Sequence, residues 1–232
     1  MSRCTSVRLL AVTKVFQPGT SGESAALSNL TVSFESGGLH LVWGPSGSGK
    51  TTLLTIVGAL DAPTSGDVTI DGLSLGGLSE PELCRLRRHR IGFLFQRPFF
   101  FPGMPVWDNV SIGLVSDGFP ARRRREIAAG WLERLGLIDK LDRPPELLSG
   151  GEFHRVSLAR ALVADPDVIL ADEPTAQLDA ENSTNVIAIL QERAAAGCVV
   201  IVTSHDPTVR RSARRLAQLD HGRLIFSGEV SG

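Results

Sequence analysis

The 232-residue sequence contains no tyrosine, only three cysteines and only three lysines. Its longest stretch without Asp, Glu, Lys or Arg, residues 36–49, is 14 residues long and contains five glycines and a proline. That stretch is too short to cross a bilayer, so we expect no transmembrane helix. Cys4, Cys84 and Cys198 form no CxxC pair, which argues against a zinc site or a disulfide framework and favours buried or free thiols in a reducing compartment.

The chain also lacks an excess of charge of either sign. Its 24 basic and 25 acidic side chains leave a formal net charge of -1. Because no overall positive field exists to hold a polyanion, we expect no nucleic-acid partner, and any bound anion must be held locally. Residues 1–10 have no apolar segment followed by a cleavage site, so no secretory signal is predicted and the cytoplasm is the expected compartment.

The order of apolar and amphipathic segments predicts an α/β fold within a single domain spanning residues 1–232. Short β-branched runs bounded by polar or turn residues predict buried parallel strands, and alternating segments predict half-exposed antiparallel strands. We therefore expect a mostly parallel sheet together with an antiparallel β subdomain. The buried strands are expected at residues 39–43, 91–95, 168–171 and 199–203, and the antiparallel strands at 7–15, 27–34 and 224–226.

The strand signal fades between residues 97 and 157, where helical spacing replaces it. Apolar residues recur at helical intervals within residues 121–135. Pro144 and Pro145 must precede a helix, because proline lacks the amide donor and clashes with the preceding turn. The sequence therefore predicts that residues 97–157 form a helical subdomain inserted into the α/β core.

The most specific motif is a glycine-rich loop between the strand at 39–43 and a helix expected at 50–60. Its pattern of Gly, four residues, Gly-Lys and Ser or Thr is typical of loops that cradle phosphates. The glycines let successive amides point inward, Lys50 reaches the terminal phosphates and the Thr51 hydroxyl can ligate magnesium. The loop consists of Gly44, Pro45, Ser46, Gly47, Ser48, Gly49, Lys50, Thr51 and Thr52.

Two carboxylates follow the apolar run at 168–171. Asp172 is suited to holding magnesium through water, and Glu173 is suited to polarising the attacking water. Taken alone, this pair also fits a solvated acidic turn. Since ligands bind at the carboxyl ends of strands in open α/β sheets, the pair and the phosphate loop together predict nucleotide hydrolysis.

Residues 148–152, Leu-Ser-Gly-Gly-Glu, resemble the LSGGQ signature of the ATP-binding cassette (ABC) ATPases, a motif that few other nucleotidases carry. Gln96 resembles the glutamine of the family's Q-loop, Asp179 ends a segment similar to the D-loop, and His205 resembles the switch histidine. These landmarks follow one another in the family's order over nearly the whole chain. The resemblance implies the ABC ATPase fold, with a P-loop core, an antiparallel β subdomain and an inserted helical subdomain.

The resemblance also implies a role for each landmark, with ATP and Mg²⁺ as the ligands. Glu173 would be the catalytic base, oriented by His205, while Lys50 stabilises charge. Phe16 occupies the adenine-stacking position, where tyrosine is usual, and a phenyl ring still stacks on adenine. The implied magnesium ligands are Thr51, Gln96 and Asp172.

In the family, the signature meets the γ-phosphate of ATP bound by a second subunit. The resemblance therefore implies a head-to-tail dimer of two copies with two ATP molecules between them. In that dimer the phosphate loop of one copy would face, in the other copy, Ser149, Gly150, Gly151, Glu152 and Asp179.

Residues 58–66, Gly-Ala-Leu-Asp-Ala-Pro-Thr-Ser-Gly, and Pro174-Thr175 fit most closely the lipoprotein-release and macrolide-export class of the family. Besides Phe16, three places depart from the family pattern. Glu152 replaces the commoner glutamine, Phe153 and His154 stand where Arg and Gln are expected, and Gln177 is unusual for the D-loop.

Two segments indicate partners. The three phenylalanines between Gln96 and Pro102 line, by resemblance, the groove that takes a coupling helix of an integral membrane permease; a plain core cluster is the alternative. The four arginines at residues 122–125 open a predicted helix, and they form either a solvated face or a contact with anionic lipid or an acidic partner.

The expected function is that of an ATP-hydrolysing subunit of an ABC transporter, peripheral on the cytoplasmic side of the inner membrane. ATP-dependent dimer closure would drive a separate transmembrane subunit. One alternative is a soluble single-cassette ATPase of an assembly complex, such as the iron–sulfur cluster type. Another is a small-molecule kinase, which would have no use for the signature at residues 148–152.

Overall fold

The computed structural model describes residues 6–19, 22 and 24–229, and these residues form ten strands in two sheets. Cys4 and the first half of the segment at 1–10 considered for a signal lie outside the described residues. The first sheet is antiparallel and has the order β2-β1-β4-β5. Its strands are β1 (Ser6–Phe16), β2 (Ser24–Glu35), β4 (Ser65–Ile70) and β5 (Leu73–Ser74).

The second sheet has six strands in the order β10-β9-β3-β8-β7-β6. Five of them are parallel, and β10 runs antiparallel to β9 at one edge. The strands are β3 (Leu39–Trp43), β6 (Ile91–Leu94), β7 (Val168–Asp172), β8 (Val199–Thr203), β9 (Arg215–Asp220) and β10 (Arg223–Glu229).

Both faces of the second sheet are covered, which explains why its central strands are continuously apolar. Every residue of β7 and β8 is buried. Along β7, Leu170 faces the core shared with the antiparallel sheet, while Ile169 faces the core shared with the helical segments. The α-helices of the described part of the chain are α1 (Lys50–Val57), α2 (Glu80–Arg90), α3 (Val106–Ser111), α4 (Ala121–Arg134), α5 (Gly150–Leu162), α6 (Ala180–Ala195) and α7 (Pro207–Ser212).

The expected strands are present, with small differences in their bounds. Those at 39–43 and 199–203 match β3 and β8, whereas β6 ends at Leu94 and β7 extends to Asp172. The strand expected at 224–226 is antiparallel, but it belongs to the edge of the second sheet. β4, β5 and β9 were not predicted.

The expectation of a helix over residues 50–60 is wrong at its end. α1 stops at Val57, and the Gly58 amide donates to the Leu54 carbonyl as a cap. Ala59 follows with a φ of +54°, a left-handed conformation that cannot continue the helix.

Residues 95–167, all of them described, contain no strand; α3, α4, α5 and short 3₁₀ turns fill this stretch. Pro144 caps the 3₁₀ turn Pro145–Leu147, as the double proline predicts. The arginines that open α4 are ion-paired: Arg124 lies against Asp108, and the others pair with Glu126 and Asp142. Among the described residues, no helix is both long and apolar enough to traverse a membrane.

Candidate functional site

The loop between β3 and α1 takes its shape from glycines. Gly47 and Gly49 have φ values of +77° and +101°, which side chains disfavour. A Cβ at Gly49 would lie only 2.4 Å from the Ala26 carbonyl oxygen. Because α1 begins directly after Gly49, its unpaired amides open toward the loop.

Lys50 is held at the mouth of this loop. Its Nζ donates to the carbonyls of Gly44 and Pro45, both at 2.8 Å. Burial lowers the pKa of Lys50, while the nearby charges of Glu173 and Asp172 act in the opposite direction. The result is a positioned cation beside two carboxylates.

Asp172 connects the loop to the sheet. The Thr51 hydroxyl donates to Asp172 Oδ2 at 2.9 Å, and the Thr203 hydroxyl donates to Oδ1. Asp172 is buried, and it pairs with Thr203 in the parallel register of β7 and β8. Two hydrogen-bond donors therefore fix the orientation of its carboxylate.

Glu173 directly follows Asp172, and His205 lies two residues after Thr203. The Glu173 backbone, at a φ of +51°, donates its amide to the Thr203 carbonyl at 2.9 Å. The His205 amide donates to Glu173 Oε2 at 3.3 Å, and His205 Nε2 lies 3.6 Å from Oε1. The carboxylate is thus aimed by the switch segment that follows β8.

These groups surround one cleft of about 430 Å³. The cleft brings together residues from the loop, the Q-loop segment and the ends of β7 and β8. It is lined by Ala26, Ser46, Gly47, Gly49, Lys50, Thr51, Thr52, Gln96, Asp172, Glu173 and His205.

The other predicted site residues are not among those that line the cleft. Phe16, at the end of β1, is half-exposed, with Lys14 Nζ 5.2 Å from its ring centroid. Ser48 is buried, and its amide donates to the Pro45 carbonyl within the loop. Asp179 caps α6 by accepting from the Asn182 amide at 2.8 Å, a bond that lowers the pKa of Asp179.

The signature residues begin α5 with a local cap. Ser149 Oγ accepts from the Glu152 amide at 3.3 Å, and the Ser149 amide donates to Glu152 Oε2 at 2.8 Å. This capping box works with glutamate as well as with glutamine. The Ser149 amide lowers the pKa of Glu152, which also lies 3.3 Å from Lys140 Nζ.

Gln177, the unusual D-loop residue, packs over the two signature glycines. A Cβ at Gly150 would lie 2.8 Å from Gln177 Oε1, and one at Gly151 would lie 3.2 Å from the Gln177 carbonyl. Gln96, Gly150, His154 and Gln177 line a second cavity of about 250 Å³. Gln96 therefore borders both the cleft and the signature side.

The three phenylalanines after the Q-loop divide between core and surface. Phe100 is buried and meets Phe153 of α5 edge-on at 4.5 Å. Phe99 and Phe101 are 67% and 45% exposed, and Arg160 of α5 donates to the Phe99 carbonyl. The core-cluster alternative thus describes Phe100, while its two neighbours form an apolar surface.

The sequence reasoning assigned no role to three residues that shape this site. Thr203 orients Asp172, Ala26 closes the loop side of the cleft, and Trp43 contacts the ring of His205. Thr203 and Trp43 could have been found from the strand alignment, because both end strands of the parallel sheet. Ala26 has no sequence signal.

The family profile described as ABC transporter matches residues 27–176. The macrolide export ATP-binding/permease protein MacB of Burkholderia pseudomallei is 42% identical over 219 residues, which cover 94% of this chain and 34% of that protein. The chain therefore spans about a third of the length of the curated relatives it matches. The resemblance to the macrolide-export class is confirmed.

Among solved structures, the bacterial ABC transporter cassette MJ0796, a dimer, superposes with a TM-score of 0.91 at 34% identity, covering 97% of this chain and 99% of that one. The same cassette is also known as a dimer in a post-hydrolysis state bound to ADP and phosphate. CbiO1 of Clostridium perfringens, part of the complex cbiONQ, has a TM-score of 0.82 at 28% identity, covering 96% of this chain and 88% of that one. The expected α/β cassette fold is confirmed.

Proposed function

Because the chain belongs to the ABC transporter family, we propose that it binds and hydrolyses ATP to drive a membrane transport complex. The observation that carries this proposal is the cleft in which Lys50, Asp172, Glu173 and His205 converge. Phosphoryl transfer to water needs three groups beside a helix N-terminus: a cation, a carboxylate that binds the metal and a second carboxylate. The solved dimer with ADP and phosphate supports the same reaction.

Magnesium fits the residues at the edge of the cleft. Thr51 Oγ1 and Asp172 Oδ2, 2.9 Å apart, are hard oxygen donors, and Gln96 lines the same cleft. The described residues contain no cluster of three or more His, Cys, Asp or Glu side chains suited to a metal, so these oxygens would share the ion with the nucleotide. When bound, Mg²⁺ neutralises charge on the β- and γ-phosphates.

Glu173 is the proposed general base. Glu173 and His205 both line the cleft, and the His205 amide donates to the Glu173 carboxylate. It accepts the proton of the attacking water, while Lys50 stabilises the negative charge that develops on the phosphoryl oxygens. His205 orients Glu173 and contacts the γ-phosphate.

The signature is proposed to act on ATP held by a second copy of the chain. Ser149 and Gly150 are exposed at the start of α5 and lie outside the cleft of their own chain. A helix N-terminus with exposed amides suits a phosphate, and a symmetric head-to-tail pair would complete both sites.

A membrane permease is the proposed second partner. The MacB relatives are named as ATP-binding/permease proteins, and this chain spans about a third of their length. Phe99 and Phe101 offer exposed apolar anchors next to the Q-loop, which suit an amphipathic coupling helix. We propose that the chain acts peripherally at the cytoplasmic face of the inner membrane.

The substitution Glu173→Gln tests the proposed base. We expect the purified variant to bind ATP, to lose hydrolysis by about 100-fold or more, and to accumulate as a closed dimer in light scattering. Phosphate release at the wild-type rate would contradict the role of Glu173.

Affinity purification of the tagged protein from detergent-solubilised membranes tests the transport role. Recovery of an integral membrane protein would support that role. Recovery of soluble proteins alone would favour an ATPase of an assembly complex.

A further inference from the structure

Trp43 ends β3 immediately before the phosphate loop and contacts the switch histidine. The ring centroids of Trp43 and His205 are 5.5 Å apart, with an interplanar angle of 65°. The guanidinium carbon of Arg210 lies 5.6 Å from the Trp43 ring centroid. Aromatic edges and cations attract an indole at these distances, so Arg210, Trp43 and His205 form a contiguous row of side chains.

The fold brings this row together through strand register. Val42 pairs with Thr203 between the parallel strands β3 and β8, so Trp43 lies beside the segment that follows β8. Asp206 then caps α7 by accepting from the Thr208 amide at 2.7 Å. The short helix carries Arg210 back over the indole.

His205 needs such a neighbour because its own bonds do not orient its ring. Its amide donates to Glu173 Oε2, but this bond fixes only the main chain. Its Nε2 is 3.6 Å from Glu173 Oε1, beyond a normal hydrogen bond, and its side chain is 51% exposed. The indole edge therefore limits the directions in which the imidazole can turn.

Building on the proposed function, we infer that Trp43 is a positioning residue for ATP hydrolysis. Its indole, held by Arg210, keeps the His205 ring beside Glu173 and facing the cleft. Trp43 is absent from the residues that line the cleft, so it acts through His205 and not on the nucleotide.

Kinetics of the purified full chain with ATP test this inference. We expect Trp43→Leu to lower kcat by about tenfold and to leave KM within about twofold, since misplacement of a catalytic group slows chemistry more than binding. Trp43→Phe should restore most of kcat, because a planar edge remains. Unchanged kcat in Trp43→Leu would overturn the inference.

Trp131→Leu is the matched control. Trp131 is also a partly buried tryptophan with an arginine over its ring, Arg134 at 4.8 Å, but it lies on α4 in the helical segment. We expect this variant to retain the wild-type kcat. An equal loss in both variants would mean that any lost indole slows the enzyme, and it would overturn the specific role of Trp43.

A double-mutant cycle separates positioning from packing. In a His205→Ala background, Trp43→Leu should change kcat by less than about twofold, because the ring that it orients is gone. The same loss in both backgrounds would overturn the inference. Hydrolysis that depends on Glu173 but not on Trp43 refutes this inference alone, whereas a wild-type chain without ATPase activity refutes the proposed function.

Fluorescence tests the contact without any change at position 43. The substitutions Trp107→Phe and Trp131→Phe leave Trp43 as the sole tryptophan of the sequence. Because loss of the imidazole exposes the indole edge to water, His205→Ala should shift the emission maximum of Trp43 to longer wavelength in this variant. Identical emission with and without His205 would overturn the contact, even if Trp43→Leu fails to fold.

Discussion

The phosphate-loop cleft and the signature segment are built in opposite ways. In the cleft, groups from three distant parts of the chain converge: Lys50 on the loop carbonyls, Thr51 and Thr203 on Asp172, and His205 on Glu173. In the signature, Ser149 and Glu152, three positions apart, bond each other through a single capping box. The sheet assembles the cleft from distant residues, whereas the signature forms from neighbouring residues and is exposed.

This difference indicates which half of the proposed site a single chain completes. The cleft has its cation, its carboxylates and its orienting hydroxyls within one copy. The signature offers amides at a helix start, outside that cleft, and in the proposed function it meets a phosphate held by a second copy.

Lys50→Ala and Gly150→Asp should each lower ATPase activity by about 100-fold or more. The first removes the cation of the cleft. The second places a negative charge where the phosphate of the other copy would lie, although a carboxylate at a helix start favours folding. Phosphate release from each purified variant is the measurement.

Mixing these two inactive variants tests the dimer directly. A mixed dimer has one intact site. The copy with Gly150→Asp supplies its phosphate loop, and the copy with Lys50→Ala supplies its signature. Equal mixing should therefore recover about a quarter of the wild-type rate if copies exchange freely. No recovery on mixing would contradict the shared site, and a chain carrying both substitutions serves as the control.

Thr203→Val should destabilise the cleft side of the fold. The substitution keeps the side-chain shape but leaves buried Asp172 Oδ1 without its donor, at a cost of about 1–3 kcal/mol in the free energy of unfolding. Urea denaturation measures the change. Thr184→Val is the matched control, because the Thr184 hydroxyl is exposed on α6 and bonds only its own helix at 2.8 Å.

Acid should weaken the fold through His154, a buried residue of α5, the helix that the signature begins. Burial lowers its pKa from 6.5, against a smaller opposite effect of the Pro174 and Glu173 carbonyls. As the pH falls below 6.5, the unfolded chain takes up a proton that the folded chain rejects, so stability decreases. Each unit of pKa separation corresponds to about 1.4 kcal/mol.

His154→Gln should therefore flatten the decline of Tm between neutral and mildly acidic pH. His89→Gln provides the control, because His89 is exposed on α2. An unchanged pH dependence in His154→Gln would show that acid acts elsewhere, for example at buried His40, whose pKa burial also lowers.

Glu152→Gln should have the smallest effect. Glutamine still accepts from the Ser149 amide, so the capping box persists, and only the partly exposed ion pair with Lys140 is lost. Such a pair contributes about 0–1 kcal/mol. We expect Tm to fall by less than about 4 °C, whereas Glu152→Ala, which loses the cap as well, should fall further.

Much of the architecture could be predicted because the signals are local. The apolar runs at β3 and β8 give their bounds directly, and the glycine loop marks the start of α1. β9 was missed because Arg215–Asp220 contains charged residues at both ends, so its pattern resembles a loop until the sheet covers its centre. β4 was missed because the turn-like Ser65-Gly66-Asp67 hides a strand that pairing with β1 creates.

The candidate site also divides into residues that the motifs predicted correctly and contacts that depend on the tertiary structure. Gln96, Asp172, Glu173 and His205 were predicted from their motifs and do meet at one cleft. Phe16 and the signature were predicted from the family pattern, and they lie apart from that cleft within one chain. The contact of Gln177 with Gly150 could not be predicted from the sequence, because it depends on how the D-loop folds over α5.

The sequence by itself determined the local chemistry: which loop can cradle phosphate, which strand ends carry carboxylates and where α5 must begin. Glycine conformations, caps and strand periodicity are properties of a few neighbouring residues. Only the tertiary structure decided that Thr203 bonds Asp172 and that Trp43 borders His205. Those contacts join residues far apart in sequence, and parallel pairing of β3, β7 and β8 is the physical step that places them side by side.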